Sequence, residues 1–236
     1  MRGLLYKNFL LYRIDLIVIA CIQLIVSLTV IIMSVTNVNT AEEITVYSTV
    51  LYFSVFIVSD LFEQQMFAPD EKKSVSCFII SAPEGLKGHV RSKYFTILIV
   101  NLAILFCCFV TDMISKGILG VEAHSVGLLC LLFFFVNLFF SAFSTPFYIR
   151  FGASYGNRVK FGTLGVIILI AAIYGLFGDI SFLFKDDPMS AVIAFFSSGK
   201  ARLFQLLIPV VSLILYYVSY RISIALYRKG SESYEQ

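Results

Sequence analysis

Six apolar runs divide this chain, each near the roughly 20 residues that an α-helix needs to cross the hydrocarbon of a bilayer. They lie at about residues 16–35, 44–61, 94–111, 125–148, 161–177 and 203–226. Inside lipid no water is available to backbone N–H and C=O groups. A spanning segment must therefore close its hydrogen bonds within itself, as a helix does. Of the 236 residues 59% are apolar and 14% charged, against about 45–50% and 25% in soluble domains. With 24 Phe and 13 Tyr, the chain carries more greasy side chain than an aqueous core absorbs. The expected fold is an all-α integral membrane protein with six transmembrane helices. The length suits one membrane domain with no soluble catalytic domain beside it. The first run starts after Asp15 and is too long for a signal-peptide core, so it reads as a retained first span.

Charge placement gives an independent test of that count. With six spans, 14 of the 18 Lys and Arg fall on the side of the N-terminus. They are Arg2, Lys7, Arg13, Lys72, Lys73, Lys87, Arg91, Lys93, Arg150, Arg158, Lys160, Arg221, Arg228 and Lys229. The positive-inside rule then puts both termini in the cytoplasm of a multi-pass plasma-membrane protein. Adding or removing one span would scramble the bias.

Three segments outside the spans have character of their own. Residues 1–15 alternate Leu4, Leu5, Phe9 and Tyr12 with Arg2, Lys7, Asn8 and Arg13, a pattern for an interfacial helix on the cytoplasmic leaflet. Residues 178–202 contain apolar pieces too short to span, broken by Lys185, Asp186, Asp187 and Pro188. They read as a surface loop or, preferably, as short helices dipping back into the outer leaflet. Residues 227–236 form a polar cytoplasmic tail.

The longest polar stretch, residues 67–94, reads FAPDEKKSVSCFIISAPEGLKGHVRSKY. Pro69 and Asp70 suit a helix start. Val75, Phe78, Ile79 and Ala82 recur at helical spacing, and Pro83 stops the helix. Leu86, Val90, Tyr94 and Ile97 open a second apolar face that runs into the third span. A short amphipathic helix between spans two and three has the shape to dock a cytosolic partner or to lie under the headgroups.

The chain offers little recognisable chemistry. It has no G-x-x-x-x-G-K-[ST] loop, no H-E-x-x-H and no G-x-S-x-G. His89 and His124 fall in links on opposite sides, so no metal site is expected, and the five Cys read as small apolar side chains. Asp15, Asp60, Glu63, Asp112 and Arg221 lie near span ends, and no convergent polar set is apparent at one depth. Gln23, Asn101, Asn137 and Gln205 lie within spans, where they either hydrogen-bond between helices or line a translocation path.

The 67–94 stretch resembles a cytoplasmic signature of the ABC-2 type permeases, in particular the small six-helix branch that exports phenol-soluble modulins and bacteriocin-like peptides. The matching residues are Asp70, Glu71 and Lys72, then Ser81, Ala82 and Pro83, then Ser92, Lys93 and Tyr94. Lys7 and Asn8 ahead of a bulky apolar run resemble the family's N-terminal elbow helix. The resemblance implies an elbow at 1–15, a permease domain at 16–226 and a coupling helix at about 70–82. It also implies an outer gate within about 179–198, carried by Phe182, Phe184, Phe195 and Phe196. Asp70, Glu71, Lys72, Val75, Phe78, Ile79 and Ala82 would seat on a cytosolic P-loop ATPase. That partner, not this chain, would hold ATP and Mg, so the chain itself needs no cofactor and is not an enzyme. A second permease copy or paralogue and lipid are the other implied partners; nucleic acid is not. The function implied is ATP-driven export of hydrophobic or amphipathic peptides. An ion-coupled carrier or channel, and a non-transporting immunity or scaffold protein, are the alternatives.

Overall fold

A computed structural model describes residues 2–36, 41–67, 85–119, 126–177 and 199–232. Among these residues it is entirely helical. The elements are α1 (Arg2–Leu11), α2 (Arg13–Thr36), α3 (Ala41–Phe67), α4 (Gly85–Leu119), α5 (Gly127–Phe151), α6 (Ala153–Phe177) and α7 (Gly199–Glu232). Five of them contain stretches long and apolar enough to cross a bilayer: Arg13–Thr36, Ile44–Phe67, Lys87–Ile118, Leu129–Phe151 and Leu207–Leu226. α6 is a 25-residue helix that coincides with the fifth apolar run.

Contacts at the helix ends fix the direction of each helix. Near one end of the bundle, Tyr12 and Lys93 meet the carbonyl of Met66. There too Glu63 of α3 meets Ser141 and Thr145 of α5, and Lys160 of α6 pairs with Asp60 of α3. That end therefore holds the close of α3, the start of α4, the close of α5 and the start of α6. The Tyr94 hydroxyl meets Ser219 and Ser223 there, adding the latter part of α7. At the opposite end Ser34 of α2 bonds Ser115 of α4 at 2.5 Å. Asp112 accepts from the Val126 and Gly127 amides at 3.3 and 3.2 Å, satisfying orphan N–H groups at the start of α5. Successive helices from α2 to α6 thus run up and down. The segments gathered at the first end are those that carry most of the chain's Lys and Arg.

The two sides of the bundle differ as a lipid solvent demands. Ile17, Ile25, Ile32, Phe106, Val166, Ile168 and Ile214 are exposed. Inside, Val30, Tyr52, Val55, Ile97, Cys108, Cys130 and Leu138 are buried together with many hydroxyl residues, including Ser48, Ser59, Thr96 and Ser141. Lipid supplies no hydrophobic drive for helix association, so close packing and interhelical hydrogen bonds hold the bundle. The apolar face foreseen at the start of the third span is buried at Val90, Tyr94 and Ile97.

One boundary and one helix face differ from the sequence expectation. The basic link expected between the fourth and fifth runs is a single residue, Gly152, and Arg150, Arg158 and Lys160 stand on the flanking helices. Gly152 has φ +88°, in the region a side chain rarely adopts. α1 does not turn all its polar residues outward. Asn8 is buried and donates toward Ser92 and Thr96 of α4, each at 3.3 Å. The coupling segment at 70–82 and the outer segment at 179–198 lie outside the described residues.

The corner at Gly152 returns α6 so closely that a Cβ on Gly156 would sit 2.0 Å from the Tyr148 ring. That ring is itself stacked on Phe67 with centroids 5.3 Å apart, and its hydroxyl donates to Asn157 Oδ1 at 2.8 Å. It has nowhere to go. Gly156→Ala is expected to destabilise the protein by about 1–3 kcal/mol, the usual cost of overpacking, read as a lowered thermal midpoint in detergent micelles.

Candidate functional site

The densest polar cluster joins α3, α5 and α6 near the basic end of the bundle. Asp60 and Glu63, spaced i,i+3, share one face of α3. Ser141, Ser144 and Thr145, spaced i, i+3 and i+4, share one face of α5. Glu63 is 2% exposed, a position where an unpaired carboxylate would be prohibitively costly. Its Oε2 accepts from Ser141 Oγ at 2.6 Å, and its Oε1 accepts from Thr145 Oγ1 at 2.8 Å. Ser144 Oγ lies 3.5 Å from the same Oε1. Lys160 of α6 stands 3.7 Å from Glu63 Oε2 and makes a tight ion pair with Asp60 Oδ1. Two carboxylates therefore share one ammonium.

Pro146 sits one residue past Thr145, inside α5. It has no N–H to give to the preceding turn. The hydroxyls of Ser144 and Thr145 return hydrogen bonds to the carbonyls of Phe140 and Ser141, at 3.1 and 2.6 Å. Thr145 has a single hydroxyl proton, so Glu63 and the Ser141 carbonyl share one donor beside the proline.

A second knot lies where α3 ends. The Met66 carbonyl accepts from Tyr12 Oη at 2.9 Å and from Lys93 Nζ at 2.7 Å. Lys93 also lies 4.4 Å above the Phe67 ring. Ser92, next to it, bonds the His89 carbonyl and accepts from Asn8. Tyr94 bonds Ser219 and Ser223 and stands edge-on to Tyr216 and Tyr220. Each residue of the Ser92–Lys93–Tyr94 triplet therefore ties α4 to a different neighbour: Ser92 to α1, Lys93 to α3 and Tyr94 to α7. Together they clamp the two helix ends that border residues 68–84.

The uncharged candidates fall into separate places. Gln23 donates toward Ser27 Oγ at 3.4 Å and Cys108 Sγ at 3.6 Å. Asn101 accepts from Ser59 at 3.0 Å, and Asn137 donates to the Phe56 carbonyl at 3.1 Å. All three join helices. Among the described residues, Gln23 Oε1, Tyr52 Oη and Asn137 Oδ1 are buried with no hydrogen-bond partner. Asn137 also lines a cavity of about 190 Å³ between α3, α5 and α6, bordered by Asp60 and Lys160. A larger cleft of about 620 Å³ between α5 and α7 is almost wholly apolar, with Arg150 among its lining residues. The Gln205 side chain and the coupling and gate residues at 70–82 and 182–196 lie outside what the structure describes. No group of three or more His, Cys, Asp or Glu able to hold a metal occurs among the described residues.

The chain matches the family model described as "ABC-2 family transporter protein" over residues 3–228. The chain belongs to the ABC-2 transporter family. It is therefore a multi-pass membrane component of a transporter whose relatives work with cytosolic ATPase subunits. Nothing matches it among curated proteins or among solved structures.

In sequence Asp60 and Glu63 are only acids near a span end, with no convergent polar set to expect. The structure brings six polar side chains to one depth. Their signal was the coincidence of i,i+3 acids on one run with i, i+3, i+4 hydroxyls on another, but pairing the two runs required the tertiary fold. Lys160→Met would leave both carboxylates without their counter-charge. The expected cost is about 3–5 kcal/mol, seen as a loss of thermal stability in micelles, with part of it recovered when Asp60→Asn is added.

Proposed function

We propose that this protein is the membrane-spanning permease subunit of an ATP-driven exporter, carrying hydrophobic or amphipathic peptides out of the cell. The family match over residues 3–228 carries the reading as far as an ABC transporter permease. Direction and cargo follow from the sequence resemblance to the small peptide-exporting branch. In this reading α6 is the fifth of six spans and α1 is the elbow helix at the cytoplasmic leaflet. Both termini are cytoplasmic, as the 14 basic residues on one side favour.

Energy comes from outside the chain, which has no phosphate-binding loop. Residues 70–82 form the coupling helix on the ATPase, with Val75, Phe78, Ile79 and Ala82 as its apolar face and Asp70, Glu71 and Lys72 at its start. ATP closes a pair of ATPases, and the coupling helices pass that motion to a pair of permeases. The knot of Tyr12, Met66, Phe67, Lys93 and Tyr94 suits this task. It binds the ends of α3 and α4 to the α1–α2 junction, α5 and α7, so a push on residues 68–84 moves several helices as one body. A two-state element biased by nucleotide is what such coupling requires. Phe182, Phe184, Phe195 and Phe196 form the outer gate.

Purification in mild detergent decides the subunit role: a P-loop ATPase is expected to accompany the chain. Transport by a preparation free of any ATPase would instead favour the ion-coupled carrier. Phe78→Asp and Ile79→Asp are expected to leave membrane insertion intact while lowering transport per ATP hydrolysed in proteoliposomes. Unchanged coupling in both variants would remove residues 70–82 from the ATPase interface.

A further inference from the structure

The cavity between α3, α5 and α6 has the chemistry of a receptor for one particular head group. Its walls are aromatic: Phe53, Phe56, Phe133, Phe140 and Phe161 line it. Phe133 lies 5.2 Å from Phe53 and 6.3 Å from Phe56, centroid to centroid, which joins the α3 and α5 walls. Phe53 and Phe161 are also exposed on the outer surface of the bundle, so the cavity opens sideways toward lipid. Its polar border consists of Asp60, Gln64, Asn137, Asn157 and Lys160.

Two features of that border are unbalanced. Asn137 is 8% exposed and lines the cavity, yet its Oδ1 has no partner. Its Nδ2 is committed to the Phe56 carbonyl, which fixes the amide so that the oxygen is the free end. Asp60 keeps its side chain 26% accessible, and among the described residues its ion-pair partner is Lys160. Lys160, however, already stands 3.7 Å from Glu63. A shift of about 1 Å would bring it to a full charge-assisted hydrogen bond there. Asp60 would then be released at the edge of an aromatic box, next to an orphaned acceptor.

Carboxylate, unpaired amide oxygen and phenylalanine faces all attract the same thing, a cation with N–H donors. The volume of about 190 Å³ falls below the roughly 300–1,000 Å³ of sites that enclose a drug-sized molecule. It accommodates a head group while the rest of the ligand stays in the lateral opening. We propose that this cavity binds the alkylammonium head of an amphiphile entering from the bilayer, and that the incoming cation takes the place of Lys160 at Asp60 and drives Lys160 onto Glu63. The inference rests on the permease reading for its role as a cargo subsite, but binding itself requires neither ATPase nor transport.

The test uses the full chain in lipid nanodiscs and a radiolabelled decylammonium probe, with decanol as the uncharged control. Saturable binding of the cation and only non-saturable partitioning of decanol are expected. Asp60→Asn should weaken the cation by about tenfold or more, the worth of one charge-assisted hydrogen bond, while Asp60→Glu retains it. Lys160→Gln removes the competitor and should tighten binding. A purely structural ion pair would lose affinity, or remain indifferent, in both charge-removing variants. Should either variant fail to fold, Phe133→Leu reads the aromatic wall alone and should weaken the cation selectively. Equal partitioning of the cation and decanol would overturn the proposal, as would cation binding unchanged by Asp60→Asn or weakened by Lys160→Gln. Loss of ATP-driven transport with binding intact would strike the permease reading and leave the site standing.

Discussion

A carboxylate buried between lipid-facing helices has to be answered by nearby donors, and Glu63 is the place where this chain meets that demand. Water cannot reach it, and hydrocarbon does not solvate it. Its partners come from α5 and α6, so the register of α3 against both helices is set by one side chain. Slide either helix by a turn and the charge loses its donors. Asp60 and Lys160 extend the same constraint toward the cavity, and Tyr148 extends it toward Phe67. The tight Gly152 corner is what brings Lys160 of α6 back within reach of α3.

The same economy runs through the rest of the bundle. Apolar side chains gain little by leaving lipid for one another, so specificity passes to hydroxyls and amides. Ser34 with Ser115, Ser59 with Asn101 and Tyr94 with Ser219 and Ser223 each fix one pair of helices. These bonds occur at different depths and hold the bundle along its length. The concentration of them around Met66 and the Ser92–Lys93–Tyr94 triplet is of another kind. It stiffens the helix ends that border residues 68–84, the segment proposed above to receive force from a separate ATPase.

The contrast between the two knots suggests a division of labour. The Met66 knot is closed: its donors and acceptors are matched, and its rings are stacked. The Asp60–Glu63–Lys160 cluster is open, with one ammonium between two acids and an unmatched amide oxygen nearby. Closed networks transmit position. Open ones have a second arrangement at small cost, and a ligand or a conformational step can select it.

The apolar runs alone determined that the chain folds as membrane-spanning helices, because an unbroken run of about 20 apolar residues fits a helix, which satisfies its own backbone groups, and not the short alternating strands of a closed barrel. The spacing of Val90, Tyr94 and Ile97 announced their buried face, and the motifs at residues 70–72, 81–83 and 92–94 together carried the family resemblance. The tertiary structure decided what the charges do. Asp60, Glu63 and Lys160 lie up to 100 residues apart in the chain, and Asn8 meets Thr96 across 88. Hydropathy reads each residue by its neighbours in sequence, so an acid near a span end looks the same whether it faces headgroups or hydroxyls. Only the packing of α3 against α5 and the return of α6 through Gly152 turned those scattered charges into one cluster and opened an aromatic cavity beside it.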